Sequence, residues 1–354
     1  MPDTNHTITA DIRIKAVRPL ISPAVLNDEH RLTEKTAAFI AAKRRTISRI
    51  ISNKDKRLLL VIGPCSIHDP QAALDYARQL KVLADELSDQ LFIVLRVYFE
   101  KPRTVIGWKG LINDPDLNGS FNINKGLRLA RQLLLDVSEI GLPAANEFLD
   151  ATLGQYYADL ISWGAIGART VESQIHRELA SGLSMPVGFK NRTDGDIKVA
   201  IDAMRAAQHS HLFPSLTPEG APAILETTGN LDTHLVLRGG GGKTNYDEES
   251  IMQASKILKA SALNHRIMVD CSHANSEKNP HRQLDVALQM AERIASGKRE
   301  VFALMIESNL HSGRQDIQTG KPLKYGQSIT DACISFSQTE TLLRDIHKII
   351  SNSR

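Results

Sequence analysis

Cys65, His273, Glu307 and Asp331 supply one thiolate, one imidazole and two carboxylates. That mixture of soft and hard donors suits a borderline divalent ion such as Mn, Fe, Co or Zn. The four lie far apart in the chain, so no short spacing motif gathers them and only a fold can. A competing reading makes Cys65 a small buried packing residue. His273 stands in Val-Asp-Cys-Ser-His-Ala-Asn, where an apolar run passes into a polar loop. A second set, Arg96, Lys101, Arg103, Arg169, Lys190 and Arg238, carries six positive charges. Brought to one spot, these cations need anionic ligands to offset their mutual repulsion, such as two phosphates and a carboxylate. Arg and Lys at such a place suit small phosphates and carboxylates.

The densest segment is 91–104, Leu-Phe-Ile-Val-Leu-Arg-Val-Tyr-Phe-Glu-Lys-Pro-Arg-Thr. Its apolar, branched start has the composition of a buried parallel strand, and three cations follow. The alternative is a solvated basic loop that pairs with Asp114 and Asp116. Similar strand-like runs occur at 58–62, 143–145, 166–168, 186–189, 234–237, 267–270 and 302–307. Helical patterns separate most of them, at 71–87, 123–139, 173–181, 196–207, 248–260 and 282–296, and a last helix spans roughly 331–350. Eight strands alternating with helices predict a (β/α)8 barrel over 56–354, behind an N-terminal extension at 1–55. An open doubly wound sheet is the runner-up, weakened because no G-x-G-x-x-G opens a helix after a strand. An inserted hairpin is expected at about 208–230, with arms at 211–213 and 223–227 around Pro218, Glu219 and Gly220. In a barrel the chemistry sits at the C-terminal strand ends, where Asn146, Glu147 and most of the residues above fall. Gly239–Gly242 would let the backbone approach a phosphate, or form a flexible loop. Gly164 and Gly167 suggest a tight backbone beside Arg169.

The 354 residues carry a net charge of only +3, so the cations are a local feature. Aromatic residues at 5% and dispersed Lys and Arg argue against nucleic-acid binding. No segment is long and apolar enough to span a bilayer, and the first residues lack a secretory pattern, which together point to the cytoplasm. Three cysteines argue against a disulfide framework.

Several segments strongly resemble the 3-deoxy-D-arabino-heptulosonate 7-phosphate (DAHP) synthases, of the metal-dependent, feedback-regulated class I type found in bacteria and fungi. They are GPCSIHDP at 63–70, RVYFEKPRTVIGWKGLINDPDLNGS at 96–120, WGAIGARTVESQIHRELASGLSMPVGFKN at 163–191, LRGG at 237–240, DCSHANS at 270–276, MIESN at 305–309 and YGQSITDAC at 325–333. The resemblance implies condensation of phosphoenolpyruvate with erythrose 4-phosphate on a homodimer or homotetramer. It implies a (β/α)8 barrel with one divalent metal ion on Cys65, His273, Glu307 and Asp331. Arg169 and Arg238 would hold the phosphate of phosphoenolpyruvate, and Arg96 and Lys190 its carboxylate. Lys101 would lie beside that substrate and serve in proton transfer. Arg103 and Thr104 would hold the sugar phosphate, and Glu147 would orient a water. Asp331 and His273 are also candidates for proton handling. Arg192 and the length of the Gly239–Gly242 run depart from the family pattern.

The resemblance also implies an aromatic amino acid effector, bound near Gly154, Gln155, Ser184, Phe213 and Ser215 and contacted by the N-terminal extension of a partner. Ser215 replaces a glycine shared by Tyr-sensitive forms. Gly154 replaces a proline common in Phe-sensitive forms, so Trp is the expected effector and Phe the second choice. The alternative is that Gly154 only ends a turn. Two rival readings remain at this stage. One is a Schiff-base aldolase using Lys190, and the other is a sugar-phosphate-binding protein on an inactive barrel.

Overall fold

The computed structural model describes residues 9–103, 107–318 and 320–353. Eight strands close a barrel in the order β1-β10-β9-β8-β5-β4-β3-β2, every neighbouring pair parallel. They are β1 (Leu58–Gly63), β2 (Leu91–Arg96), β3 (Ala144–Glu147), β4 (Trp163–Ile166), β5 (Val187–Lys190), β8 (Thr233–Leu237), β9 (Ile267–Asp270) and β10 (Val301–Glu307). The remaining two strands, β6 (Leu212–Leu216) and β7 (Pro222–Glu226), form a separate antiparallel hairpin.

All residues of the barrel strands are buried, which is why they read as continuous apolar runs. Within β1 the period of two is still at work. Leu58, Leu60 and Ile62 pack outward against the helices, whereas Leu59 and Val61 join Phe92, Trp163, Met268 and Phe302 in the interior. Helix α2 (Glu34–Ile51) closes that interior, because Ile47, Ile50 and Ile51 belong to the same cluster. Thr33 caps α2 through Thr36 N, and α1 (Pro23–Glu29) precedes it.

Outside the barrel run α3 (Pro70–Glu86), α4 (Ile123–Ile140), α6 (Gln174–Gly182), α7 (Lys198–Ala207), α8 (Glu248–Ala260), α9 (Arg282–Ala295) and α10 (Phe336–Ser351), with a short α5 (Gly154–Tyr157) after β3. Their ends carry ordinary signals. Asp69 accepts from Gln71 N and Ala72 N with Pro70 opening α3, and Gly141 ends α4 at φ 92°.

Two expected boundaries move. The fourth strand is Trp163–Ile166, not 166–168. Trp163 fills the interior, and a Cβ on Gly164 would lie 2.9 Å from the Phe148 ring, so the glycine belongs to the strand. The last helix begins at Phe336, not near Asp331. Ser335 forms a capping box with Gln338, while Cys333 and Ile334 bridge to Gly313 and Ser308 in extended conformation. The hairpin falls inside the expected 208–230, with its first arm running on to Leu216. Its tip touches the N-terminal segment, where Pro218 O accepts from Ala24 N at 2.7 Å.

Close packing inside the barrel is testable at Gly188. A Cβ there would lie 2.6 Å from Trp163 Cζ2, 2.7 Å from Val236 Cγ2 and 3.0 Å from His234 Nε2. Gly188→Ala should therefore lower stability by about 1–3 kcal/mol, read as a lower urea midpoint. An unchanged midpoint would mean that this layer has room to spare.

Candidate active site

Gly63 ends β1 at φ 155°, where a Cβ would lie 2.8 Å from Arg96 O. That close approach delivers Cys65 to the top of the barrel. Cys65 Sγ and carboxylate oxygens of Glu307 and Asp331 all lie within 4.8 Å of one another. Burial, followed by the negative charge of Glu307, pushes the Cys65 thiol up to about 11. Three groups that repel one another when ionised, with Cys65 and Glu307 buried, fit a divalent cation. Lys101 Nζ stands 3.0 Å from the sulfur. Burial pulls its ammonium down, but Cys65 and Glu307 outweigh this and hold it above its ordinary value.

Arg96 braces this group from below. It is 1% exposed, and its guanidinium donates to Pro64 O at 3.1 Å, Cys65 O at 3.2 Å and Glu307 Oε1 at 2.9 Å. Its Cζ lies 3.6 Å from the centroid of the Tyr98 ring, which Lys190 Nζ approaches at 5.9 Å. Lys190 itself pairs with Asp270 at 3.1 Å.

His273 falls outside the three-residue group. Its ring turns Nδ1 to Asp270 Oδ2 at 3.0 Å and to Ser272 Oγ at 2.7 Å. It still acts on the same spot: burial would raise the Asp331 carboxyl, but Lys101 and then His273 hold it below its ordinary value.

The outer cations are differently placed. Among the described residues, Arg169, Arg238 and Arg103 form no ion pair. Arg169 is exposed and close enough to Arg238 to add to the lowering that burial imposes on the Arg238 guanidinium. Arg103 is exposed and donates to Trp108 O at 2.8 Å. Thr104 lies outside the described residues. Asp116 pairs with Lys125 at 2.5 Å and Asp114 accepts from Gly119 N at 3.1 Å, so neither neutralises this loop as the solvated-loop reading required. Glu147 is buried, and a Cβ on Gly167 would meet its Oε1 at 2.2 Å, which explains that glycine.

Sequence reasoning gave no role to Tyr98, Asn191 and Asp270. Asn191 is fully buried and joins two strand ends: its Nδ2 donates to Gly239 O at 2.9 Å, and its Oδ1 accepts from Arg238 N at 2.8 Å. The glycine run serves this junction. A Cβ on Gly240 would lie 2.1 Å from Gly195 N, while one on Gly242 would meet nothing. Only the position of Asn191 directly after Lys190 signalled it.

Away from the barrel mouth, Gly154, Gln155, Ser184, Phe213 and Ser215 all line one cavity of about 820 Å³ between α2, α5 and the hairpin. Gly154 begins α5 instead of ending a turn, and a Cβ there would touch the Phe148 ring at 3.6 Å. No helix among the described residues is long and apolar enough to cross a membrane.

A closed parallel barrel with a thiol, two carboxylates and unpaired arginines at its C-terminal rim is the architecture of a barrel enzyme acting on anionic substrates. The profile of the DAHP synthetase I family matches residues 31–344, and the chain belongs to that family. It is 53% identical over 344 residues to the Phe-sensitive phospho-2-dehydro-3-deoxyheptonate aldolase of Escherichia coli K12, covering 97% of this chain and 98% of the relative. It is 49% identical over 344 residues to the Trp-sensitive enzyme of Enterobacter agglomerans, covering 97% and 99%. The solved phospho-2-dehydro-3-deoxyheptonate aldolase of Francisella tularensis SCHU S4 superposes with a TM-score of 0.94 at 49% identity, covering 96% of this chain and 99% of that one.

The loop that carries Lys101 and Arg103 starts at a titratable residue. Glu100 is buried, bridges to Gly110, and accepts from Tyr157 Oη at 3.4 Å. Burial, followed by the Asp150 charge, pushes its carboxyl up to about 7. The folded state thus holds this proton more tightly than the unfolded chain. Its stabilising contribution is complete below pH 4.5 and is lost as the pH rises through about 7. Glu100→Gln should remove that loss. Relative to the parent, it should gain up to about 3 kcal/mol between pH 4.5 and pH 8, measured by urea unfolding across pH. Parallel curves would contradict this.

Proposed function

We propose that the chain is a phospho-2-dehydro-3-deoxyheptonate aldolase, a transferase that forms a carbon–carbon bond. It condenses phosphoenolpyruvate with erythrose 4-phosphate and water, releasing DAHP and phosphate, the first step of the shikimate pathway. The observation that carries this reading is the Cys65–Glu307–Asp331 group with Lys101 3.0 Å from the thiol, beside a rim of unpaired arginines. Cys65, Glu307 and Asp331, joined by His273, would hold one divalent ion, Mn, Fe, Co or Zn. When bound, the ion supplies Lewis-acid polarisation of the aldehyde oxygen.

The chain's own residues do the rest. Arg169 and Arg238 hold the phosphate of phosphoenolpyruvate, and their freedom from carboxylate partners supports this. Arg96 and Lys190 meet its carboxylate beside Tyr98, their charges already shared with Glu307 and Asp270. Arg103 and Thr104 take the sugar phosphate. Held in this way, C3 of phosphoenolpyruvate faces the aldehyde carbon, an arrangement that can contribute several kcal/mol. Water positioned by Glu147 adds at C2, Lys101 transfers a proton, and phosphate leaves. An imine-forming aldolase is less well supported, because Lys190 is 3% exposed and paired with Asp270. The protein is read as cytoplasmic, and as a homodimer or homotetramer whose first 55 residues make oligomer and regulatory contacts.

A steady-state assay with both substrates tests the reading. Activity should vanish with chelator and return with Mn2+. Arg103→Ala should raise the Michaelis constant for erythrose 4-phosphate more than that for phosphoenolpyruvate. Chelator-resistant turnover refutes the metal, and equal rises refute the division of the two anions.

The cavity beside α5 is read as the effector site, with Trp favoured and Phe second. Its volume and the missing side chain at Gly154 support a large ring. Gly154 opens α5, where proline is tolerated. Gly154→Pro should therefore weaken inhibition by Trp while leaving uninhibited turnover close to that of the parent. A parent enzyme that ignores millimolar Trp but responds to Phe or Tyr would reverse the assignment.

A further inference from the structure

Asp270 ends β9 fully buried, and its carboxylate is shared between the two halves of the site. Oδ2 lies 3.1 Å from Lys190 Nζ and 3.0 Å from His273 Nδ1. Oδ1 accepts from Ser272 N at 3.0 Å and from Ser272 Oγ at 2.6 Å, and that hydroxyl is also 2.7 Å from His273 Nδ1. His273 stands at φ 59°, a left-handed conformation uncommon for non-glycine residues although less so for histidine, and these side-chain bonds help to hold it.

We propose that Asp270, acting with the Ser272 hydroxyl bound to it, is a positioning residue that sets the His273 tautomer and the place of the Lys190 ammonium together, and so links the metal side of the site to the phosphoenolpyruvate side. The link rests on the function proposed above. A neutral imidazole carries one N–H. With Nδ1–H turned to Ser272 Oγ and Asp270 Oδ2, the lone pair is at Nε2, the remaining nitrogen able to bind a cation. Metal-binding histidines commonly carry such a carboxylate partner. The same oxygen supplies the counter-charge that a buried ammonium requires. Because one carboxylate serves both, occupancy on either side is felt on the other, and the effect is reciprocal for binding.

The test uses the full chain, stripped of metal. Mn2+ affinity is read by calorimetric titration, and Michaelis constants are read for each substrate after metal is restored. Asp270→Asn should weaken Mn2+ binding about 10- to 100-fold. It should also raise the phosphoenolpyruvate constant more than the erythrose 4-phosphate constant. Ser272→Ala keeps the Asp270–Lys190 pair but removes the hydroxyl that bridges Asp270 Oδ1 and His273 Nδ1, so it should weaken Mn2+ binding and leave the phosphoenolpyruvate constant unchanged. This second variant carries the test if Asp270→Asn does not fold, as judged by circular dichroism. Parental Mn2+ affinity in Ser272→Ala, or in a folded Asp270→Asn, overturns the proposal. So does an unmoved phosphoenolpyruvate constant in a folded Asp270→Asn. A parent with neither Mn2+ binding nor condensation sinks the proposed function and this inference together. An active parent beside unaffected variants sinks the positioning role alone.

Discussion

The pairing of Arg96 with Glu307 is the interaction on which the rest of the site depends. Both side chains are at most 2% exposed, so neither charge is solvated, and each needs the other. Arg96 ends β2 and Glu307 ends β10, the two strands that flank β1. The guanidinium also donates to Pro64 O and Cys65 O, just past β1. One planar cation therefore fixes three adjacent strand ends, and with them two of the three members of the thiol–carboxylate group. Its five donors in a rigid fork explain why arginine, and not lysine, stands there. Loss of one partner would leave an uncompensated buried charge, which typically costs about 3–5 kcal/mol.

From that anchor the charges separate by partner. The anionic group, Cys65, Glu307 and Asp331, is gathered within 4.8 Å, with Lys101 against its sulfur. Arg169 and Arg238 have no carboxylate partner among the described residues. The site proposed above, for one cation and several anions, needs this order. If the rim arginines paired with protein carboxylates, they would have little left to offer a phosphate. If the inner carboxylates lacked a cation, their repulsion and the desolvation of the thiol would oppose the fold. The Tyr98 ring lies under both Arg96 and Lys190, giving these like charges a shared apolar floor with a negative face.

Much of this arrangement was legible in the chain, and the reasons are specific. Continuous apolar runs appear because barrel strands are buried on both faces, so β1, β2, β9 and β10 stood out. Their last residues then carried the chemistry, as a barrel requires. The strand at Trp163 was misplaced because its glycines look like a loop until the Phe148 ring is seen to occupy the space. The start of α10 was misplaced because Cys333 and Ile334 form bridges that no local pattern announces. Asp270 was visible as a strand end, but its role depends on Lys190 and His273, which reach it from β5 and from its own loop. Pairwise geometry of this kind is tertiary, and periodicity carries no trace of it.

The two departures from the family pattern, Arg192 and the four glycines, turn out to be parts of one junction. Gly241 N donates to Thr193 O at 3.0 Å, and Gly240 sits against Gly195 too closely for any side chain. Arg192 pairs with Glu172 at 2.6 Å and Asp194 at 2.8 Å, so it ties the loop after β5 to the loop that follows Arg169. Asn191 completes the junction by fixing the Arg238 backbone. The glycines therefore bring backbone to backbone, where the sequence suggested backbone to phosphate. The physical gain is that the Asn191 amide fixes the Arg238 backbone, while the Arg192–Glu172 pair holds the loop after Arg169. No carboxylate has to touch Arg169 or Arg238. Their charges are held close enough to repel without a neutralising carboxylate among the described residues, which is the electrostatic condition that the proposed phosphate-binding role requires.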